Sequence, residues 1–177
     1  MTRSVLLLRA VNVGGNNKVP MARLRALLTE RTALTGIETY IASGNIVCTT
    51  PDDLDAARAE VRALIAEEFD VDTPVIARTH EELVESLARH PFQDGEERLV
   101  HAMFLEGAPA EGAIDALTAR LVPGERLALV GHDLWIEYPE GGVHATKLTK
   151  AVLDRALGVA GTARNLRTVR ALAELTG

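Results

Sequence analysis

Aromatic side chains are scarce in this chain: one Trp, two Tyr and three Phe in 177 residues. Sheets that bind single-stranded RNA stack bases on rings from their central strands. The strands best placed for that here, LLLRA and IVCTT, carry no ring. Cysteine is scarcer still. Cys48 stands alone, so no internal disulfide can form. It sits in an apolar run, where a small buried residue is the ordinary reading. The five histidines, His80, His90, His101, His132 and His144, fall in different elements without ligand spacing, so no metal site is expected. No stretch reaches the roughly 18 uninterrupted apolar residues of a membrane span. MTRSVLLLRAVNV, broken by Arg9, reads as a first strand and not a signal peptide, and a cytoplasmic setting is expected. G-x-G-x-x-G, G-x-x-x-x-G-K-[ST] and G-x-S-x-G are all missing, so no cofactor is expected.

Lysine is rare as well. Sixteen of the nineteen cations are Arg, and of the three lysines one lies in a glycine loop and two in KLTK. The net charge of −6 is unevenly spread. Residues 1–34 hold six cations against Glu30, residues 52–97 hold fourteen acids against four Arg, and residues 144–177 are basic again. The acidic middle reads as solvated helix faces. Overall acidity argues against a dedicated nucleic-acid binder, leaving contact along the basic ends as the weakest functional reading.

What is present is a globular composition, 47% hydrophobic and 25% charged. SVLLLRA, residues 4–10, is a buried central strand. Pro20 opens a helix with a Met21, Leu24, Leu27, Leu28, Leu34 stripe that Gly36 ends. IETYIA and NIVCTT make a hairpin turning at Ser43 and Gly44, a second helix runs to Asp70, and TPVIAR closes the set. Strand, helix, strand, strand, helix, strand is the split βαβ order of ferredoxin-like domains. Thr79 and Glu82 form a capping box for a connecting helix over residues 80–89. Beyond HPFQDGEE the order repeats, without residue-level self-similarity: LVHAMFLE, a helix with Ile114, Leu117 and Leu121, the hairpin RLALV and LWIEY, and a helix from Thr146 to Leu157. No closing strand is evident, and a last helix, capped by Thr162, follows Gly161. The fold class expected is α+β with two ferredoxin-like subdomains, the second extended by C-terminal helices. The first subdomain and connecting helix span residues 1–90, a linker 91–98, and the second subdomain 99–177.

The segment RAVNVGGNNKVPM, residues 9–21, is the candidate site. Gly14 and Gly15 leave a strand and lead into a helix, an arrangement that can turn backbone N–H groups toward an anion, while Lys18 adds charge and Asn12, Asn16 and Asn17 add donors and acceptors. Lys147 and Arg164 read as first-turn residues of two helices, where the dipole disfavours cations and a bound anion would offset the cost. Alternatively, glycine and asparagine simply permit positive φ in a connection.

RAVNVGGNNKVPM, TYIASGNIV, KLT and TARN, in this order and spacing, resemble the domain-of-unknown-function 1697 family of small bacterial proteins over nearly the whole chain. The family pattern R-G-I-N-V-G-G-x-N-K is carried by Arg9, Asn12, Val13, Gly14, Gly15, Asn17 and Lys18, with Ala10 in place of a glycine. Ser43, Gly44 and Asn45 match S-G-N, Lys147 and Leu148 fall in the family's S-K-L-T, and Thr162, Arg164 and Asn165 match T-A-R-N. Where the family has Trp-Asn next, this chain has Leu166 and Arg167. The resemblance implies two similar α+β subdomains and carries no established activity. The leading expectation is a protein that binds a small anionic, phosphorylated or nucleotide-like ligand through Arg9, Asn12, Gly14, Gly15, Asn17, Lys18, Ser43, Asn45, Lys147, Arg164 and Asn165, with the N-terminal loop and the C-terminal basic segments meeting around it. The rival is a non-enzymatic interaction or scaffold protein whose polar loops only organise the chain.

Overall fold

The computed structural model describes the whole chain, Met1 to Gly177. It forms two compact units, Met1–Leu83 with Leu172–Gly177, and Val84–Ala171. The expected linker segment, residues 91–98, falls within the second unit, in turns closed by Gly95 N–H to Phe92 O and Leu99 N–H to Glu96 O.

In the first unit, β1 (Thr2–Leu8), β2 (Thr35–Tyr40), β3 (Asn45–Thr50) and β4 (Val75–Thr79) form one sheet in the order β2-β3-β1-β4. All pairs are antiparallel, which with α1 (Met21–Arg31) and α2 (Leu54–Phe69) is the ferredoxin-like arrangement. Leu6 and Leu8 with Ile46 and Cys48 face Leu24, Leu27 and Leu28 of α1 and Val61, Leu64 and Ile65 of α2 in one core. The alternate residues Val5, Leu7 and Val47 are buried too. That two-sided burial explains the unbroken apolar run of β1. The capping box of α3 (His80–Arg89) forms with the expected partners: Glu82 N–H donates to Thr79 Oγ1 at 3.2 Å and Thr79 N–H to Glu82 Oε2 at 2.8 Å.

Gly36 does not end α1. The helix stops at Arg31, because Thr32 turns to an extended conformation at φ −128° and ψ 166°, while its amide closes the last helical bond to Leu28 O and its hydroxyl bonds to the same oxygen. Gly36 lies inside β2 at φ 57°, where the register shifts between Thr35 and Glu38 and a bulge requires the left-handed conformation.

The second unit repeats the order. β5 (Val100–Leu105), β6 (Arg126–Val130), β7 (Asp133–Glu137) and β8 (Gly161–Asn165) pair as β6-β7-β5-β8, again antiparallel. Met103, Leu105, Leu134 and Ile136 pack against Leu117 of α4 (Ala113–Thr118) and Leu153 and Leu157 of α5 (Lys150–Leu157). A closing strand therefore exists where none was expected. β8 is short, polar and opens on a glycine, so it lacks the apolar alternation of a strand. The glycine is itself a packing solution: a Cβ on Gly161 would lie 2.8 Å from both Leu105 Cδ2 and Met103 Cε. α6 (Leu166–Thr176) follows directly.

Candidate functional site

Between β1 and α1 the chain forms a small β finger. Asn12 N–H bonds to Asn17 O and Asn16 N–H to Val13 O, both at 3.0 Å, and Val13 bridges Asn16. Gly14 and Gly15 occupy the two central positions at φ 58° and 80°. Positive φ at both is the requirement of a type I′ turn, the form that matches strand twist in tight hairpins. The two glycines thus build a hairpin tip, and the Asn12 and Asn16 amides are spent closing it. A Cβ at either glycine would meet nothing within 4 Å, so it is the dihedral, not crowding, that selects glycine there.

The asparagines are spent in the same way. Asn12 Nδ2 donates to Val19 O at 2.9 Å and to Ala42 O at 2.8 Å, while its Oδ1 accepts from Val19 N–H at 2.8 Å. It clamps the finger's base and ties it to the β2–β3 loop. Asn17 Nδ2 donates to Ala10 O, and both residues hold positive φ, which asparagine tolerates. Thr73 Oγ1, a residue the sequence reading passed over, donates to Arg9 O at 2.6 Å and accepts from Arg9 N–H at 3.2 Å. Asn45, fully buried, donates through Nδ2 to Tyr40 O and Ser43 Oγ. The turn of this hairpin spans Ile41 to Gly44, and Ile41 is exposed at φ 49°, an unusual conformation for a β-branched residue.

Lys18 is different. It is exposed and makes no hydrogen bond or ion pair. Two residues on, α1 begins at an N-cap, Pro20, that supplies no side-chain cap, and its first turn has no acid. Residues 9–20 contain no carboxylate at all.

In the second unit, two placements correct the sequence expectation. Lys147 is exposed but precedes α5, which starts at Lys150 because Thr149 Oγ1 accepts from Val152 N–H. Thr146 Oγ1 meanwhile holds Leu148 N–H in a local turn at 2.9 Å. Arg164 is no helix-start residue either. It lies in β8, 8% exposed, and its guanidinium donates to Thr162 Oγ1 and Ala163 O at 2.8 Å each. Burial lowers its pKa to about 10. Asn165, not Thr162, caps α6: its Oδ1 accepts from Thr168 N–H at 2.9 Å.

No group of three or more His, Cys, Asp or Glu side chains is placed to hold a metal ion. No helix is long and apolar enough to cross a membrane. Cys48 is buried in the first core, and that burial, only partly countered by the Arg3 charge, pushes its thiol up to about 11. Alkylating reagents at pH 8 should therefore leave Cys48 unmodified in the native protein and label it once urea unfolds the chain, as mass spectrometry would read directly.

Residues 1–135 match a family model described as "Protein of unknown function (DUF1697)". No curated protein matches the chain. Among solved structures, a conserved bacterial protein from Streptococcus pneumoniae shares 26% identity at a TM-score of 0.79, with 99% of each chain covered. The KLT and TARN segments lie beyond the family match but inside the structural one.

Proposed function

Because the chain belongs to the DUF1697 family, whose description assigns no activity, we propose its role from the geometry of the first unit: it binds a small anionic ligand beside the finger, with Lys18 as the contact residue. The observation that carries this reading is the state of Lys18, exposed, without any partner and in a segment free of carboxylates. A cation left that way is available to an incoming anion without first breaking an ion pair. Support comes from the uncapped, acid-free start of α1 close by in the chain. Asn12, Asn17 and Asn45 act as scaffold in this reading and do not touch the ligand. The supporting contacts are few, so simple anions should bind weakly.

The test is thermal stabilisation by inorganic phosphate and pyrophosphate at constant ionic strength. Lys18→Ala should lose the stabilisation while shifting stability itself by less than about 0.5 kcal/mol, as exposed substitutions do. Arg120→Ala, which removes another exposed and unpartnered cation, should leave it intact. Equal loss in both variants would mean nonspecific charge, and no stabilisation in the wild type would remove the anion site.

A second reading, an interaction protein, is favoured by one specific observation. Val13 and Ile41 are 62% and 53% exposed on the finger and on the loop that Asn12 ties to it. Site-specific photo-crosslinking from position 13, yielding one defined adduct that Ile41→Asp abolishes, would favour it over the first.

A further inference from the structure

The geometry points to a proton-sensitive latch in the second unit, in which charging His90 releases the C-terminal end of α3 from the sheet by breaking its stack on Trp135. The His90 ring lies over the Trp135 indole with centroids 4.5 Å apart and planes at 26°. His90 is 2% exposed and Trp135 fully buried, and neither His90 Nδ1 nor Trp135 Nε1 has a hydrogen-bond partner. The backbone fixes the ring in place: His90 N–H donates to Ser86 O at 3.0 Å, and Gln93 Nε2 donates to His90 O at 2.9 Å. Ser86, one helical turn earlier, bonds through its hydroxyl to Asp133, two residues before Trp135 in β7. The end of α3 thus meets β7 through a stacked ring pair and a buried hydrogen bond, while Gln93 Nε2 holds its last carbonyls, Leu87 O and His90 O.

A neutral imidazole suits this place, since its unpartnered nitrogen can be the one without a proton. Protonation turns Nδ1 into a charged N–H donor with no acceptor, buried away from the water that would otherwise solvate it. The surrounding charges do not compensate. Arg170 of α6 repels the imidazolium and is itself paired with Glu97; Arg164 of β8 shares the sheet row of Ala102 and Trp135; Asp133 is engaged by Ser86; Arg89 and Glu85 of α3 pair with each other; Asp94 pairs with Arg126. Two effects favour charge, the position at a helix C-terminus and the face of the buried indole. Desolvation outweighs them. Burial first and Arg170 second hold His90 below its ordinary value near 6.5. With the folded value depressed, the unfolded chain binds more protons below pH 6.5, so the latch is fully stable above that pH and weakens as pH falls through and below it.

The chain's single tryptophan reports on the latch directly. Between pH 7 and pH 5, Trp135 emission should move to longer wavelength while far-UV circular dichroism holds. His90→Phe, which keeps a stacked ring without a titrating nitrogen, should remove the shift. His101→Phe should not, because His101 packs edge-on against Tyr138. An NMR titration of His90 should give a midpoint below 6.5. A midpoint at or above 6.5, an emission maximum constant to pH 5, or an identical shift in His90→Phe would each overturn the latch.

Discussion

Replacing Asn12 with alanine is expected to lower stability by about 2–4 kcal/mol, read as a fall in the urea midpoint at unchanged slope. The side chain makes three hydrogen bonds, two of them to the amide and carbonyl of Val19 and one to Ala42 O. Val19 is buried, so both of its backbone groups would lose a partner where water cannot easily replace it. Each such bond contributes about 0.5–1.5 kcal/mol, and alanine in the left-handed region at φ 55° adds about 1 kcal/mol. Asn12→Asp keeps the acceptor for Val19 N–H but sets a carboxylate against two carbonyl oxygens, so it should not rescue. This separates two roles that one sequence motif invites. An asparagine reserved for a ligand would cost little stability when removed, whereas a clamp costs much whether or not ligand is present. A loss below about 0.5 kcal/mol would return Asn12 to the list of ligand contacts.

Much of the fold was legible before the structure. The period-two and continuous apolar runs of β1, β3, β5 and β7 mark strands, and the Thr79 and Glu82 pair sets the start of α3 to the residue. Such signals are local: a side chain and its own backbone, or residues a turn apart. β8 was illegible because its identity as a strand lies in its partner β5, 56 residues earlier at the Gly161 to Leu105 pair, and in a side chain that Gly161 does not have. The helix starts near Lys147 and Arg164 were misplaced for a related reason. Each segment offers two residues that could cap, Thr146 and Thr149 in one and Thr162 and Asn165 in the other, and the fold uses the later of each pair. The candidate loop stood out at once by its glycines and asparagines. What those residues do did not, because Asn12 closes a contact to Ala42, 30 residues away, and only the folded chain shows that its amide is already committed. Lys18 is the reverse case. Residues 9–20 carry no carboxylate, and in the fold Lys18 makes no ion pair.

Gly44→Ala should be at least as damaging, at about 2–5 kcal/mol. Two independent requirements meet at this position. Its φ is 82°, in the left-handed half of the map, which costs a non-glycine residue about 1–2 kcal/mol. A Cβ there would also fall 2.7 Å from Leu8 Cβ and 2.7 Å from Val11 Cγ2. Leu8 is the last residue of β1, its amide donates to Gly44 O at 2.8 Å, and both Leu8 and Val11 are in the first core. Neither contact is the free end of a long side chain, so the backbone must move to relieve it. Gly15→Ala supplies the matched control, having φ 80° but no atom within 4 Å of its would-be Cβ. It should cost only the dihedral part, about 1–2 kcal/mol. The difference between the two variants then measures the close approach of the hairpin turn to the base of the finger. Equal losses would show that the turn relaxes without resistance and that dihedral preference alone keeps glycine at position 44.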